Sequence, residues 1–302
     1  MIRADKLKDY LIRNKGERKP IMADVFLTDV CNNRCKHCMY DHGSAARSMT
    51  LDEFKTYATR LRELGVQGIF LTGGGEPTCN PDFDSICAWL EGEKIPYGIS
   101  TNMNILKYVK PNFMKVTMDA GDPETYKELH GVDALNLVSN NLGKYVYWLE
   151  KEHIETKVGV QCITHSVEQV QAFYNAVRDL QVRYIQFRPV EMRGKNEKDY
   201  SAILNKIAEL KRLDSTRVVA LKYDLIDYRP KECYANWSVL TLNTHGDVIY
   251  CAHRPDEVIG SILNPKILEK VRAYKPDMNK CEVPCRLSAG NKCLDGFKYV
   301  GV

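Results

Sequence analysis

The stretch Met22-Ala23-Asp24-Val25-Phe26-Leu27-Thr28-Asp29-Val30-Cys31-Asn32-Asn33-Arg34-Cys35-Lys36-His37-Cys38-Met39-Tyr40 decides the reading of this chain. An apolar run of strand type ends in a polar loop that carries three thiols, with three and then two residues between them. Thiolates this close can share one metal centre, and iron–sulfur clusters are built on cysteine sulfur. Three protein ligands leave one iron open to a substrate or cosubstrate, whereas a fully ligated cluster only passes electrons. Zinc is the competing reading. It wants four ligands, and His37 inside the triplet is a conceivable fourth, although zinc pairs usually come as two separated halves.

From this segment outward, strand-type runs alternate with amphipathic helical stretches to about residue 214. This is the pattern of repeated β-α units around a parallel sheet. Six repeats are legible, with strands at Met22–Leu27, Gly68–Thr72, Tyr97–Thr101, Phe113–Met118, Thr156–Ile163 and Tyr184–Arg188. Thr50 with Glu53 and Ser166 with Gln169 read as capping boxes, and Asn80 before Pro81 reads as an N-cap followed by an N1 proline. Leu51, Phe54, Ala58, Leu61 and Leu64 recur at helical spacing as a core-facing stripe.

The second strand runs into Thr72-Gly73-Gly74-Gly75-Glu76-Pro77-Thr78, where glycines free the backbone for close approach to a ligand and a carboxylate can meet an ammonium. The two motifs, at the ends of consecutive strands, resemble the radical S-adenosylmethionine superfamily, whose signature is Cys-x3-Cys-x2-Cys. His37 stands where that signature usually has an aromatic residue. The resemblance implies a partial (β/α)6 TIM-like barrel of the α/β class and a [4Fe–4S] cluster on Cys31, Cys35 and Cys38. It also implies a site for S-adenosylmethionine (SAM) whose methionine amine meets Gly74, Gly75, Glu76 and Pro77, with His37 near the adenine. Active sites of barrels lie at the carboxyl ends of the strands. Those ends add Ser100 and Asn102, placed by the resemblance near the ribose, then Asp119, Gln161 and Arg188, the last near the cosubstrate carboxylate or the substrate. Hydrogen bonding at the barrel rim explains each of these equally well.

After Asp214 short strands and turns replace the β-α pattern, with His245-Gly246-Asp247 between two β-like runs. Cys233, Cys251, Cys281, Cys285 and Cys293 gather here, and four thiols suffice for a second cluster. The grouping resembles the auxiliary-cluster extension called SPASM or, shortened, twitch. The resemblance assigns Cys233, Cys251, Cys281 and Cys285 as ligands of one auxiliary [4Fe–4S] cluster, with Cys293 spare or replacing one of them. A structural zinc on the same four thiols is the alternative. The expected organisation is therefore an N-terminal extension (1–21), the partial barrel (22–214) and a small loop-rich Fe–S domain (215–302). Cys87 falls on an apolar helix face and fills core. Cys79, Cys162 and Cys293 are candidate hydrogen-atom donors.

The 302 residues, 44% of them apolar, can fill a sizeable core. No apolar run approaches the ~20 residues that span a bilayer, and Met1–Pro20 is charged where a signal peptide is hydrophobic, so a cytoplasmic protein is expected. A net charge of +4 on 43 basic and 39 acidic residues gives no reason to expect a nucleic-acid partner. Eleven cysteines in a reducing compartment speak for metal sites rather than disulfides.

By resemblance, the expected activity is reductive cleavage of SAM, fed by an external one-electron reductant such as flavodoxin or ferredoxin. Hydrogen abstraction from a small polar substrate, a sugar or aminocyclitol-like molecule, follows. With an auxiliary cluster to accept an electron, this gives a two-electron dehydrogenation. Epimerisation with a cysteine donor and maturation of a peptide are the alternatives within the class. A metal-stabilised scaffold or RNA-binding module is the alternative outside it. Arg188, Arg193 and Arg254 could meet a phosphate or carboxylate.

Overall fold

A computed structural model describes residues 5–14, 16–40, 46–193 and 198–295. The strands are β1 (Met22–Phe26), β2 (Gly68–Thr72), β3 (Tyr97–Thr101), β4 (Phe113–Thr117), β5 (Lys157–Thr164), β6 (Tyr184–Pro189), β7 (Met192–Arg193), β8 (Val218–Ala220), β9 (Val239–Leu242), β10 (Asp247–Cys251), β11 (Arg254–Ser261) and β12 (Glu282–Val283). The helices are α1 (Asp5–Arg13), α2 (Leu51–Glu63), α3 (Phe83–Gly92), α4 (Pro123–His130), α5 (Leu135–Lys151), α6 (Val167–Val177), α7 (Ser201–Leu213), α8 (Ile267–Ala273) and α9 (Ser288–Leu294).

Ten strands form one unclosed sheet in the order β11-β10-β9-β1-β2-β3-β4-β5-β6-β8, and β7 pairs with β12 apart from it. From β9 to β8 every pairing is parallel. The α/β partial barrel read from the sequence is thus present, but six parallel strands fall short of the number found. Val218–Ala220 continues the sheet beyond β6, and Val239–Leu242, read as one arm of a hairpin, also lies parallel to β1. The hairpin of β9 with β10 forms, but neither parallel pairing is visible locally: β8 is three residues long, and β1, the other partner of β9, lies at the far end of the chain.

Strand alternation sorts side chains between two faces. Val25, Ile69, Leu71, Ile99, Val116, Val160, Ile185 and Phe187 are at most 1% exposed and pack with Phe54 and Leu61 of α2, Ile86 and Leu90 of α3, Leu142 of α5 and Phe173 of α6. The opposite face lines the lumen. Its lower part is filled by aromatic rings: Phe70 stacks on Phe113 with centroids 5.2 Å apart, and the Phe113 and Tyr184 rings lie over Gly98 and Gly159, where a Cβ would come within 2.2 and 2.0 Å of them. Leu7 and Leu11 of α1 bury against Ile21, Ala235, Trp237 and Leu294, tying the start of the chain to its C-terminal region. Among the described residues no helix is long and apolar enough to cross a membrane.

Both capping boxes form, at Thr50/Glu53 and Ser166/Gln169. Asn80 does not cap α3: the helix starts at Phe83 after Asp82, and Asn80 instead ends a 3-10 turn over Pro77–Cys79. Its amide has a larger task. Only 2% exposed, it donates from Nδ2 to the carbonyls of Leu27 (2.7 Å) and Met49 (2.8 Å) and accepts the Asp82 N–H (2.7 Å), fixing the exit of β1. Asn80→Ala strands these buried groups, and we predict a loss of about 2–4 kcal/mol. Urea unfolding should show it as a lower midpoint at unchanged slope.

Candidate active site

The cysteine loop is docked by backbone groups on two sides. Gly75 N–H donates to Thr28 O (2.8 Å) and Glu76 N–H to Val30 O (2.9 Å), and a Cβ at Gly75 would sit 2.1 Å from Val30 O, so only glycine fits there. On the other side Arg34 N–H and Lys36 N–H donate to the carbonyls of His130 (2.8 Å) and Leu129 (2.9 Å), acceptors left open at the end of α4. Cys31, Cys35 and Cys38 therefore hang on a loop with little freedom to move. Burial pushes the Cys31 thiol up to about 11 and Cys35 up to about 12, and for Cys35 the nearby Asp119 carboxylate and the other two thiols add to it. Thiols in such surroundings ionise readily only beside a cation, which suits them to metal. The side chains are not drawn in to coordination distance: among the described residues no three His, Cys, Asp or Glu groups form a metal shell.

Glu76 is 4% exposed and serves as a tie between strand ends. Its Oε1 accepts Thr78 N–H (3.2 Å), Thr78 Oγ1–H (2.8 Å) and Thr101 Oγ1–H (2.7 Å), and its Oε2 accepts Asn102 N–H (2.7 Å). Burial still pushes its carboxyl up. The Asn102 side chain donates to Asn32 Oδ1 (2.6 Å) in the cysteine loop. These contacts are internal to the protein, so Glu76 and Asn102 shape the rim. Pro77 opens the 3-10 turn and is buried.

Asp119, fully buried, turns the chain after β4 with φ of +57°. Its Oδ1 accepts Ile163 N–H (2.7 Å), while Oδ2 lies 3.4 Å from both His37 Nε2 and His130 Nε2. The His37 ring also faces those of His130 (6.0 Å) and His165 (6.2 Å). His37 thus turns Nε2 to Asp119, and its buried Nδ1 has no hydrogen-bond partner among the described residues. His130 Nδ1 lies 3.1 Å from Cys35 Sγ. Cys162 is fully buried on the helix side of the sheet, its Sγ 3.5 Å from Asp119 O, so it does not reach the lumen as a hydrogen donor must. Cys79 is half-buried, beside Glu76 and near enough to Cys31 to influence its thiol.

The upper lumen is polar. In register across the strands stand Ser100, Lys115 and Gly159, and one layer higher Thr117, Gln161 and Gln186. Gln161 Oε1 accepts Gln186 Nε2–H (3.1 Å) and faces Arg188 Nη1 (3.4 Å). Arg188, Lys222 and His253 converge on Glu191, whose Oε2 is 3.1 Å from His253 Nε2. Arg286 pairs with Asp24 in β1. Burial opposes the charge of Glu191, but Arg188, Lys222 and His253 outweigh it and hold the carboxyl well below the usual carboxylate range.

In the C-terminal region Cys233, Cys251, Cys281 and Cys285 form a second group. Burial pushes Cys251 up to about 11 against the pull of Arg286, with Cys233 and Cys281 adding to it, and pushes Cys285 up to about 12, with Cys233, Cys251 and Cys281 adding to it. Asn291 Nδ2 faces Cys233 Sγ (3.6 Å) and Arg254 Nη1 faces Cys281 Sγ (3.7 Å). Cys293 sits half-buried on α9. The side chain of Arg193 lies outside the described part of the structure.

The sequence reading passed over Asp24, Lys115, His130, Glu191, Lys222 and Arg286. An acid in the apolar run of β1 and a lysine in that of β4 were available signals. Lys222 follows the strand that escaped notice.

Residues 25–142 match the profile of the Radical SAM superfamily. A GTP 3′,8-cyclase of Photorhabdus laumondii is 32% identical over 129 residues, 38% of this chain and 39% of that protein. The aligned part is thus well under half of that relative. A probable GTP 3′,8-cyclase of Sulfurisphaera tokodaii is 24% identical over 241 residues, 76% of this chain and 74% of that protein. Streptococcus suis SuiB bound to S-adenosylmethionine superposes with a TM-score of 0.69 at 13% identity, over 90% of this chain and 74% of that one, which shows a shared fold.

Glu191→Gln leaves Arg188 and Lys222 without their carboxylate, and we predict a loss of about 3 kcal/mol at pH 7. Because the folded carboxyl is the more acidic, the wild type keeps this stabilisation above the ordinary carboxylate range and loses it only as pH falls through the depressed folded value. The deficit of the variant should persist at pH 5 in urea unfolding. Its disappearance there would contradict the pairing.

Proposed function

We propose that this chain, which carries a Radical SAM superfamily domain over residues 25–142, is an enzyme that cleaves SAM reductively and abstracts hydrogen from a substrate held in the barrel lumen. The observation that carries the reading is the docking of the Cys31–Cys38 loop onto the Gly73–Gly75 turn, at the carboxyl ends of adjacent strands and above a polar lumen.

Cys31, Cys35 and Cys38 would hold a [4Fe–4S] cluster with one iron left open, and His37, whose Nε2 faces Asp119, would lie near the adenine. When bound and reduced by an external donor such as flavodoxin or ferredoxin, this cluster supplies the electron that splits SAM into methionine and a deoxyadenosyl radical. The chain's own part is orientation and exclusion. Glu76 locks the ends of β2 and β3 to each other and Asn102 locks the latter to Asn32, which would fix the rim where the methionine end of SAM would lie. Ser100, Gln161 and Arg188 face the lumen, where they would orient the substrate carbon. The apolar floor of Phe70, Phe113 and Tyr184 bounds that chamber from below.

Cys233, Cys251, Cys281 and Cys285 would hold an auxiliary cluster, which favours a two-electron dehydrogenation of a small polar substrate, since a second electron acceptor then stands near the lumen. The burial of Cys162 in the core supports dehydrogenation over an epimerisation that would use this thiol.

Anaerobic reconstitution of the full chain should give about eight irons, four for each cluster. Replacing Cys31, Cys35 and Cys38 together by Ala should lower this to about four and abolish deoxyadenosine formation. Replacing Cys233, Cys251, Cys281 and Cys285 together should lower it likewise while SAM cleavage persists. Zinc in place of iron, or no deoxyadenosine from the reduced wild type, would refute the reading.

A further inference from the structure

Four cationic side chains meet in the lumen. Lys115 projects from β4, Arg188 from the end of β6, Lys222 from the turn after β8 and Arg286 from the C-terminal segment. Two carboxylates answer them, Glu191 for Arg188 and Lys222, and Asp24 for Arg286. Two positive charges are left over. Among the described residues no carboxylate pairs with Lys115, whose Nζ has the Phe70 ring 5.9 Å away. Arg188 Nε is buried and has no acceptor. Lys222 holds φ of +68°, a left-handed conformation unfavourable for a residue with a side chain, and from there its ammonium reaches Glu191.

An excess of cations in a chamber walled by protein is costly unless a ligand balances it. We propose that the lumen is a dianion site in which Lys115, Arg188, Lys222 and Arg286 receive the phosphate group of a phosphorylated substrate. The inference rests on the lumen being the substrate chamber and narrows the substrate to a phosphate ester. A phosphate dianion matches the charge left over, offers an acceptor to Arg188 Nε, and suits guanidinium and ammonium donors set around it. A single carboxylate would leave one charge unanswered. Burial and then Arg188 push the Lys115 ammonium down to about 7, with Lys222 and Arg286 adding to the effect and Glu191 opposing it. A bound dianion would reverse that repulsion.

Inorganic phosphate is the probe, titrated into the full reconstituted chain without SAM or reductant, at constant ionic strength, with acetate as the monoanion control. Calorimetry should show saturable phosphate binding and none of comparable strength for acetate. Lys115→Met should weaken phosphate by roughly tenfold or more, and Lys115→Arg should keep it within a few fold. Since Lys115→Met removes a repelled charge, its thermal midpoint should be at or above that of the wild type, so lost binding is not misfolding. Acetate binding as well as phosphate, or Lys115→Met binding phosphate like the wild type, would overturn the proposal. Deoxyadenosine formation by the wild type is a separate measurement: its absence would strike the proposed activity and leave the anion site standing.

Discussion

Two backbone hydrogen bonds, Gly75 N–H to Thr28 O and Glu76 N–H to Val30 O, set the geometry on which the site depends. They press the glycine turn after β2 against the cysteine loop after β1 so closely that Gly75 has no room for a side chain. The loop itself is mostly polar, with Tyr40 packed against Phe26 as its apolar anchor. Clamped to β2 and to the last carbonyls of α4, it holds its thiols over the strand ends. Glu76 carries the same constraint on to β3 through Thr101 and Asn102. The motif is therefore part of the barrel's construction as well as of its chemistry.

How much of this was legible follows from the range of the forces involved. β1 to β6 announced themselves because each is an apolar run bounded by turn residues, and the capping boxes at Thr50 and Ser166 because a cap is satisfied within one helical turn. β8 stayed hidden, since a strand of three residues has no pattern of its own, and β9, legible as one arm of the hairpin with β10, gave no sign of its second pairing with the distant β1. Asn80 was misread for a related reason. Its residue type and the following proline fit a cap, but its amide bonds to Leu27 and Met49, residues that only the fold brings near. For the site, the thiols and the glycine turn were visible as spacing. The roles of Asp119, His130 and Glu191 were not, because each depends on what tertiary packing sets opposite it.

The strand alternation that builds the core also loads the lumen with polar groups. Met114 and Val116 point into the helix layer, so Lys115 between them points inward. Asp24 sits likewise between Ala23 and Val25 in β1. Such positions in an otherwise apolar strand are unfavourable for folding alone, and their ion pairs offset only part of the desolvation. Ion pairs engage Asp24, Arg286, Glu191, Arg188 and Lys222, with Arg188 and Lys222 sharing one carboxylate. They do not explain Lys115, which is why it bears on ligand chemistry and the others bear first on stability.

The region after residue 214 was read as an appendage to the barrel, yet the lumen is incomplete without it. Lys222, His253 and Arg286 come from it, and β9 supplies the other neighbour of β1. It also reaches the cysteine loop. Thr244 Oγ1 donates to Asp29 Oδ2 (2.9 Å), Arg47 donates to Thr244 O, and Tyr40, two residues past Cys38, donates to Ala252 O beside Cys251. Tyr40 thus joins the loop of the first thiol group to the strand end of the second, with Phe26 of β1 packed edge-on against its ring. A change in how the C-terminal thiols are held must then act on both the lumen charges and the first cysteine loop, because the same short segments carry all three.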